Sequence, residues 1–206
     1  MRMVRAPHAR LFVAVDLPAA VREELAAWAR GAGGALTRDR ATGHAPPLRL
    51  LDSDALHVTL CFLGSRPEGE IDAIAAALRS CATPAGEVCL GAPLWLPPRR
   101  PRALAVEVRD RDGQLARLHG ALREALSRTI GWEAERQRFR AHVTVARVRG
   151  GRRVRGRDAG PGAQPLPATP QLSFMAESAV LYRSWLSRAG ATYEPLAECP
   201  LLAPAG

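Results

Sequence analysis

The chain has 206 residues, 47% of them hydrophobic, enough to bury a core in one ample domain. All 29 basic residues are arginine, which excludes lysine chemistry: no phosphate-loop lysine, no Schiff base and no lysyl adenylate. The net charge of +9 suggests an anionic partner such as RNA, although a chain dominated by Arg, Ala, Gly and Pro also carries compositional basicity. No apolar run approaches the roughly 18 residues that span a membrane. The run from Leu11 to Val15 after the basic start is shorter than the roughly seven residues of a secretory signal core, so a cytoplasmic protein is expected. Cys61, Cys81, Cys89 and Cys199 have no metal-finger spacing and read as free thiols.

In chain order, Leu11 to Val15 reads as a buried strand, and Asp16-Leu17-Pro18 starts a helix. Val21, Leu25 and Trp28 recur at helical spacing, and the helix is expected to run out at Gly31, Gly33 and Gly34. Residues 35–47, with His44, read as a loop. Leu48 to Leu51 suits a short strand, and Asp52-Ser53-Asp54 a turn into the β-rich run Leu56 to Phe62, which ends at Gly64. Ile71, Ile74 and Leu78 mark a second helix. Val88 to Leu96 and Ala103 to Val108 are expected strands, joined by the basic proline-rich connector Pro97 to Arg102. Leu115, Leu118, Leu122 and Leu126 give a third, amphipathic helix, with His119 packing at its rim. A second β-rich run follows from Arg140 to Arg147, then a mobile Gly/Pro/Arg-rich loop over 149–170. Phe174 to Tyr182 and Ala191 to Leu196 close the chain as a strand pair around Gly190.

This layout repeats: each half, 1–92 and 93–206, holds one β-rich run with His-x-Thr inside it. The alternation is not a clean βαβ one, so an α+β fold of mixed or mostly antiparallel sheet with helices outside is expected. Side chains along a strand alternate faces. His57 and Thr59 therefore share a face, as do His142 and Thr144, with Val58 and Val143 turned the other way into a core. Two imidazoles and two hydroxyls from the two halves can converge on one small anionic group.

The remaining chemistries fit less well. No G-x-S-x-G is present for a serine hydrolase. A zinc site would need His57, His142 and Cys61, which shares the parity of His57, but no carboxylate lies near either histidine in sequence. Two histidines without metal suit general acid–base catalysis, one taking a proton from water and the other giving one to a leaving oxygen. The natural substrate is a strained cyclic phosphodiester. Thr59 and Thr144 can donate to its non-bridging oxygens, and Arg147 can add a charge-assisted contact.

The segments Arg10 to Pro18, Leu56 to Gly64, Phe139 to Arg147 and Gly190 to Tyr193 together resemble the 2H phosphoesterase superfamily. They are most similar to its bacterial and archaeal RNA 2′,3′-cyclic phosphodiesterases, once named 2′–5′ RNA ligases. The resemblance implies a bilobal fold with pseudo-twofold symmetry and a central cleft carrying both His-x-Thr motifs. It implies metal-independent hydrolysis of RNA 2′,3′-cyclic phosphate ends to 2′-phosphate, weak reverse joining, and no cofactor. RNA ends or cyclic nucleotides are the implied partners of a cytoplasmic monomer with no membrane and no obligate protein partner. Catalysis would fall to His57 and His142 and phosphate binding to Thr59, Thr144 and Arg147, with a base packed on Phe62. Phe62 and Arg147 each stand five residues past their histidine, an odd offset that turns them away from the cleft unless each strand bends. Where the family often has an aromatic and a proline before the first motif, this chain has Leu50-Leu51-Asp52-Ser53. A nucleotide-binding module without turnover, the opening of ADP-ribose cyclic phosphate and the trimming of RNA 3′ ends would use the same residues.

Overall fold

Strand β1 (His8–Asp16) shows how the sheet divides its two faces. Leu11, Val13 and Val15 belong to the buried core, while Arg10, Phe12, Ala14 and Asp16 alternate with them and point the other way. The computed structural model describes residues 6–38, 48–81, 84, 86–98, 101–134, 138–148, 166–187 and 190–202. After β1 come α1 (Ala19–Arg38), β2 (Leu48–Leu50), β3 (His57–Pro67), α2 (Ile71–Arg79), β4 (Glu87–Leu96), β5 (Ala103–Arg109) and α3 (Gln114–Ile130). Strands β6 (His142–Val148), β7 (Ser173–Met175), β8 (Ser178–Leu186) and β9 (Ala191–Pro200) complete the order. Among the described residues no helix is long and apolar enough to cross a membrane.

The strands form one sheet in the order β7-β4-β5-β6-β3-β1-β8-β9, with β2 added beside β6, and all these neighbours are antiparallel. The fold is therefore α+β with an antiparallel sheet. Its two sides meet where Val58 of β3 faces Val143 of β6. They interleave the sequence: β4 lies with β5 and β6, and the C-terminal β8 and β9 return to β1. A division near residue 92 thus follows the repeat in the sequence and not the two sides of the sheet.

The pairings on either side of this junction match. Val15, Ala14 and Asp16 face Val58, Thr59 and His57; Val106, Ala105 and Glu107 face Val143, Thr144 and His142. Each motif strand then carries one extra residue at the same place. Val13 pairs with Cys61 and Ala14 with Thr59, which leaves Leu60 over. Leu104 pairs with Ala146 and Ala105 with Thr144, which leaves Val145 over. Such a bulge leaves its residue unpaired and shifts the alternation by one. The freed carbonyls still find donors, as buried backbone groups must. His119 Nδ1 donates to Leu60 O at 2.9 Å, and Leu51 N donates to Val145 O at 2.9 Å.

The helices cover the core face. Leu115, Leu118, Leu122 and Leu126 of α3 are all buried, as their spacing predicts. Asp110 caps that helix by accepting from Gln114 N at 2.8 Å and Ala116 N at 3.1 Å, and Gly131 ends it in the left-handed conformation at φ 60°. Helix α1 outruns its expected end and continues through its glycines to Arg38. The glycine at 33 serves packing there: a Cβ would come within 3.4 Å of the Leu50 side chain in β2. Residues 35–38, expected in a loop, thus belong to α1; residues 39–47 with His44, and residues 149–165, lie outside the described residues.

His119 stacks on Phe139 at 4.4 Å between ring centroids while it holds the Leu60 carbonyl. Replacing it with Leu keeps bulk but orphans that carbonyl. Chemical denaturation of His119→Leu should show a loss of about 1–3 kcal/mol; an unchanged midpoint and slope would show that the bulge needs no such support.

Candidate active site

The antiparallel register through Val58 and Val143 fixes the site. It sets His57 across from Thr144 and Thr59 across from His142, all half-buried on the face opposite the core. The two motifs thus come together as their shared faces predicted. His142 donates its Nδ1–H to Arg140 O at 2.7 Å, which leaves Nε2 of the neutral ring with its lone pair toward the cleft. His57 makes the matching contact with the backbone of Ala55, also two residues earlier.

The bulges decide the fate of the two residues beyond each motif. Along β3 the burial runs Leu60 and Cys61 buried, then Phe62 exposed; along β6 it runs Val145 and Ala146 buried, then Arg147 exposed. Each strand bends at its extra residue, so both side chains return to the face of the histidines despite their odd offset. Arg147 is near enough to lower the basicity of both His57 and His142. The same bulge turns Cys61 into the core, 2% exposed and 3.8 Å from His119 Nδ1. Cys61 therefore does not share a face with His57, and the three-ligand zinc set drawn from strict alternation does not form.

The surroundings of the two histidines differ. His57 stacks on Phe12 (centroids 4.9 Å apart) and meets the edge of Tyr193 at 5.2 Å. Phe12 in turn stacks on Tyr182, whose hydroxyl donates to Asp16 Oδ2 at 2.6 Å. Burial among these rings lowers the His57 pKa to about 4, opposed by the Ala55 backbone and helped by the charges of Arg147 and His142. Burial also lowers that of His142, where Arg147 and Arg140 add to the effect against the Arg140 carbonyl. Arg140 is held by Glu107 at 2.8 Å. Arg147, Arg49 and Arg10 all act on the Tyr193 phenol, so three guanidiniums surround this end of the cleft.

Arg10, Phe12, Asp16 and Tyr193 lie in segments that carry the family resemblance, but neither they nor Glu107 were assigned to the site from the sequence. A signal existed: Val13-Ala14-Val15-Asp16 recurs as Leu104-Ala105-Val106-Glu107, each the partner strand of one motif. Within the basic connector Pro97 to Arg102, Arg99 and Arg100 lie outside the described residues.

Burial, with the charge of Arg147 nearby, thus holds both imidazoles toward their neutral forms. An anion placed against Arg147 cancels that field and favours the imidazolium, so anion binding should take up protons. The affinity for inorganic phosphate should rise as pH falls from about 8 toward 5. Calorimetry in buffers of different ionisation enthalpy should read proton uptake in that range; uptake that persists undiminished in the His57→Ala/His142→Ala double variant would contradict this.

A family model described as the 2′-5′ RNA ligase superfamily matches residues 18–184. An Escherichia coli protein named RNA 2′,3′-cyclic phosphodiesterase is 30% identical over 190 residues, 91% of this chain and 93% of its own. One of the same name from Aeropyrum pernix is 29% identical over 172 residues, 78% of this chain and 90% of its own. Among solved structures, Escherichia coli LigT complexed with 3′-AMP superposes with a TM-score of 0.72 at 28% identity, covering 95% of this chain and 99% of that one. With residues 18–184 matched by the family model and its two motifs on one face of the sheet, this chain belongs to the 2′-5′ RNA ligase superfamily.

Proposed function

We propose that the protein hydrolyses the 2′,3′-cyclic phosphate end of RNA to a 2′-phosphate. The observation that carries this reading is the facing pair of His-x-Thr motifs, with Arg147 brought onto the same face by the Val145 bulge. The names of the relatives support the same substrate.

In this mechanism the phosphate sits between the two motifs. Thr59 and Thr144 donate to its non-bridging oxygens, and Arg147 neutralises its charge. One neutral imidazole takes a proton from water as the oxygen attacks phosphorus. The bond from phosphorus to the 3′ oxygen breaks, and the other imidazole, now protonated, delivers its proton to that oxygen. The 2′ ester is left intact. Following the family resemblance, His142 is assigned as base and His57 as acid. The carbonyl contact at His142 Nδ1 leaves Nε2 free to accept, but His57 has the matching contact with Ala55, so the assignment rests on the resemblance alone. The terminal base lies on Phe62, whose ring is 41% exposed. Weak 2′–5′ joining would use the same site with the 5′-hydroxyl of a second RNA end in place of water: it attacks the cyclic phosphate, the bond to the 3′ oxygen breaks, and that oxygen takes the proton from the acid.

Incubation with an RNA bearing a 2′,3′-cyclic phosphate, in buffer with a chelator, should yield a 2′-phosphate end. A 3′-phosphate product would reverse the leaving oxygen, and binding without any product would leave a nucleotide-binding module.

His57→Ala and His142→Ala should each lower kcat by about 10²–10⁴ while the proteins remain folded. Thr59→Val and Thr144→Val should cost on the order of 10–10³. A substrate with a better leaving group than the ribose hydroxyl should restore His57→Ala and not His142→Ala; rescue of the other variant would exchange the two roles.

A further inference from the structure

Each histidine bonds the backbone two residues before it, His57 at Ala55 and His142 at the Arg140 carbonyl. The two backbone sites are held in different ways. Ala55 ends the short helical turn Ser53–Ala55. There Ala55 N donates to Asp52 O at 2.9 Å and Leu56 N to Ser53 O at 3.1 Å, so the turn fixes its own backbone. Residues 138–141, by contrast, belong to no helix or strand. The neighbours of Arg140 are anchored toward the core. The Phe139 ring stacks on His119, and buried Ala141 accepts from Val108 N at 2.9 Å. Arg140 itself is held on the other side, through its side chain.

The group that holds it is Glu107. Glu107 and His142 are Cα partners across β5 and β6, so their side chains stand next to each other on the cleft face. Glu107 Oε1 accepts from Arg140 Nη2 at 2.8 Å, and Arg109 Nε lies 3.9 Å from Oε2. The carboxylate rests against the bare backbone of Gly91, where a Cβ would come within 2.9 Å of Oε2. The Glu107 side chain is 28% exposed and that of Arg140 55%, so neither fills the core, and an ion pair this open adds little to stability.

The first motif has no such arrangement. Asp16 stands in the same place beside His57, but it accepts from Tyr182 Oη at 2.6 Å. Residue 55 is an alanine, with no polar side chain for a carboxylate to hold. The support is therefore particular to the second motif, where the backbone does not supply it.

We infer that Glu107 is a positioning residue for His142. It holds Arg140, whose carbonyl fixes the Nδ1–H tautomer of the imidazole and keeps the Nε2 lone pair toward the cleft. An imidazole that turns or changes tautomer is for part of the time unable to accept a proton from water. The effect on turnover rests on the cyclic phosphodiesterase reading; the hold on the ring does not.

Long-range 1H–15N NMR of the histidine rings distinguishes the nitrogen that bears hydrogen from the one with the lone pair. Near pH 8, about 1.5 units above the ordinary histidine pKa, wild-type His142 should show a single Nδ1–H tautomer. Glu107→Ala and Arg140→Ala should each convert it to a mixture while the His57 signals stay as they were. Glu107→Gln, which keeps an oxygen for Arg140, should retain the single tautomer. With an RNA bearing a 2′,3′-cyclic phosphate, both alanine variants should lose kcat on the order of 10-fold with KM within about twofold. The double variant should lose no more than either single one, because one pair is broken once. Additive losses in kcat, or a His142 that keeps its single tautomer in Glu107→Ala, overturn the inference. If the wild-type protein hydrolyses no cyclic end, the catalytic reading falls, and the tautomer of His142 in the variants alone decides whether Glu107 positions it.

Discussion

The pairing of Val58 with Val143 is the constraint from which the site follows. Each valine is fully buried and sits between a histidine and a threonine that face the other way. Antiparallel register then leaves no freedom: each histidine must lie across from the other motif's threonine. A slip of one residue would send the four polar groups into the core and expose the valines. The core on one face therefore holds the catalytic geometry on the other. The same holds one strand further out, where Val15 and Val106 fix the alanines that leave room beside Thr59 and Thr144.

The second device is the repeated bulge. A regular strand would offer Cys61 and Ala146 to the cleft after the two threonines. The extra residues Leu60 and Val145 put Phe62 and Arg147 there instead, and here the two motifs part: one presents an aromatic ring, the other a guanidinium. Symmetric backbone thus gives asymmetric chemistry, an exposed ring from one motif and a positive charge from the other. The histidines diverge in the same way, one among Phe12 and Tyr193, the other beside the Glu107–Arg140 pair.

Much of this was legible in the residues. Period-two alternation placed His57 with Thr59 and His142 with Thr144, and leucine spacing gave α3. Parity misled at Cys61, and it told against Phe62 and Arg147, because a bulge depends on whether a freed carbonyl finds a donor. That donor comes from His119 for Leu60 and from Leu51 for Val145. The first lies 59 residues away from its acceptor, and local pattern carries no trace of it. Helix α1 runs past its glycines, and the one at 33 fits against Leu50 of β2, a contact invisible within the helix itself. The rings around His57 come from strands at both ends of the chain, β1, β8 and β9, which only the sheet order brings together.

In the proposed mechanism two imidazoles, held toward neutrality by burial and Arg147, become an acid and a base when a phosphodiester binds. The pH dependence of kcat and of kcat/KM tests it most directly, since the first reports the bound state and the second the free protein. Both profiles should be bells, with pKa values that belong to the coupled pair. The falling limb of kcat should lie at higher pH than that of kcat/KM, because the bound anion raises an imidazole that burial and Arg147 hold down in the free protein. A rate that climbs steadily to about pH 10 in both profiles, with no falling limb, would assign the chemistry to hydroxide and contradict the account.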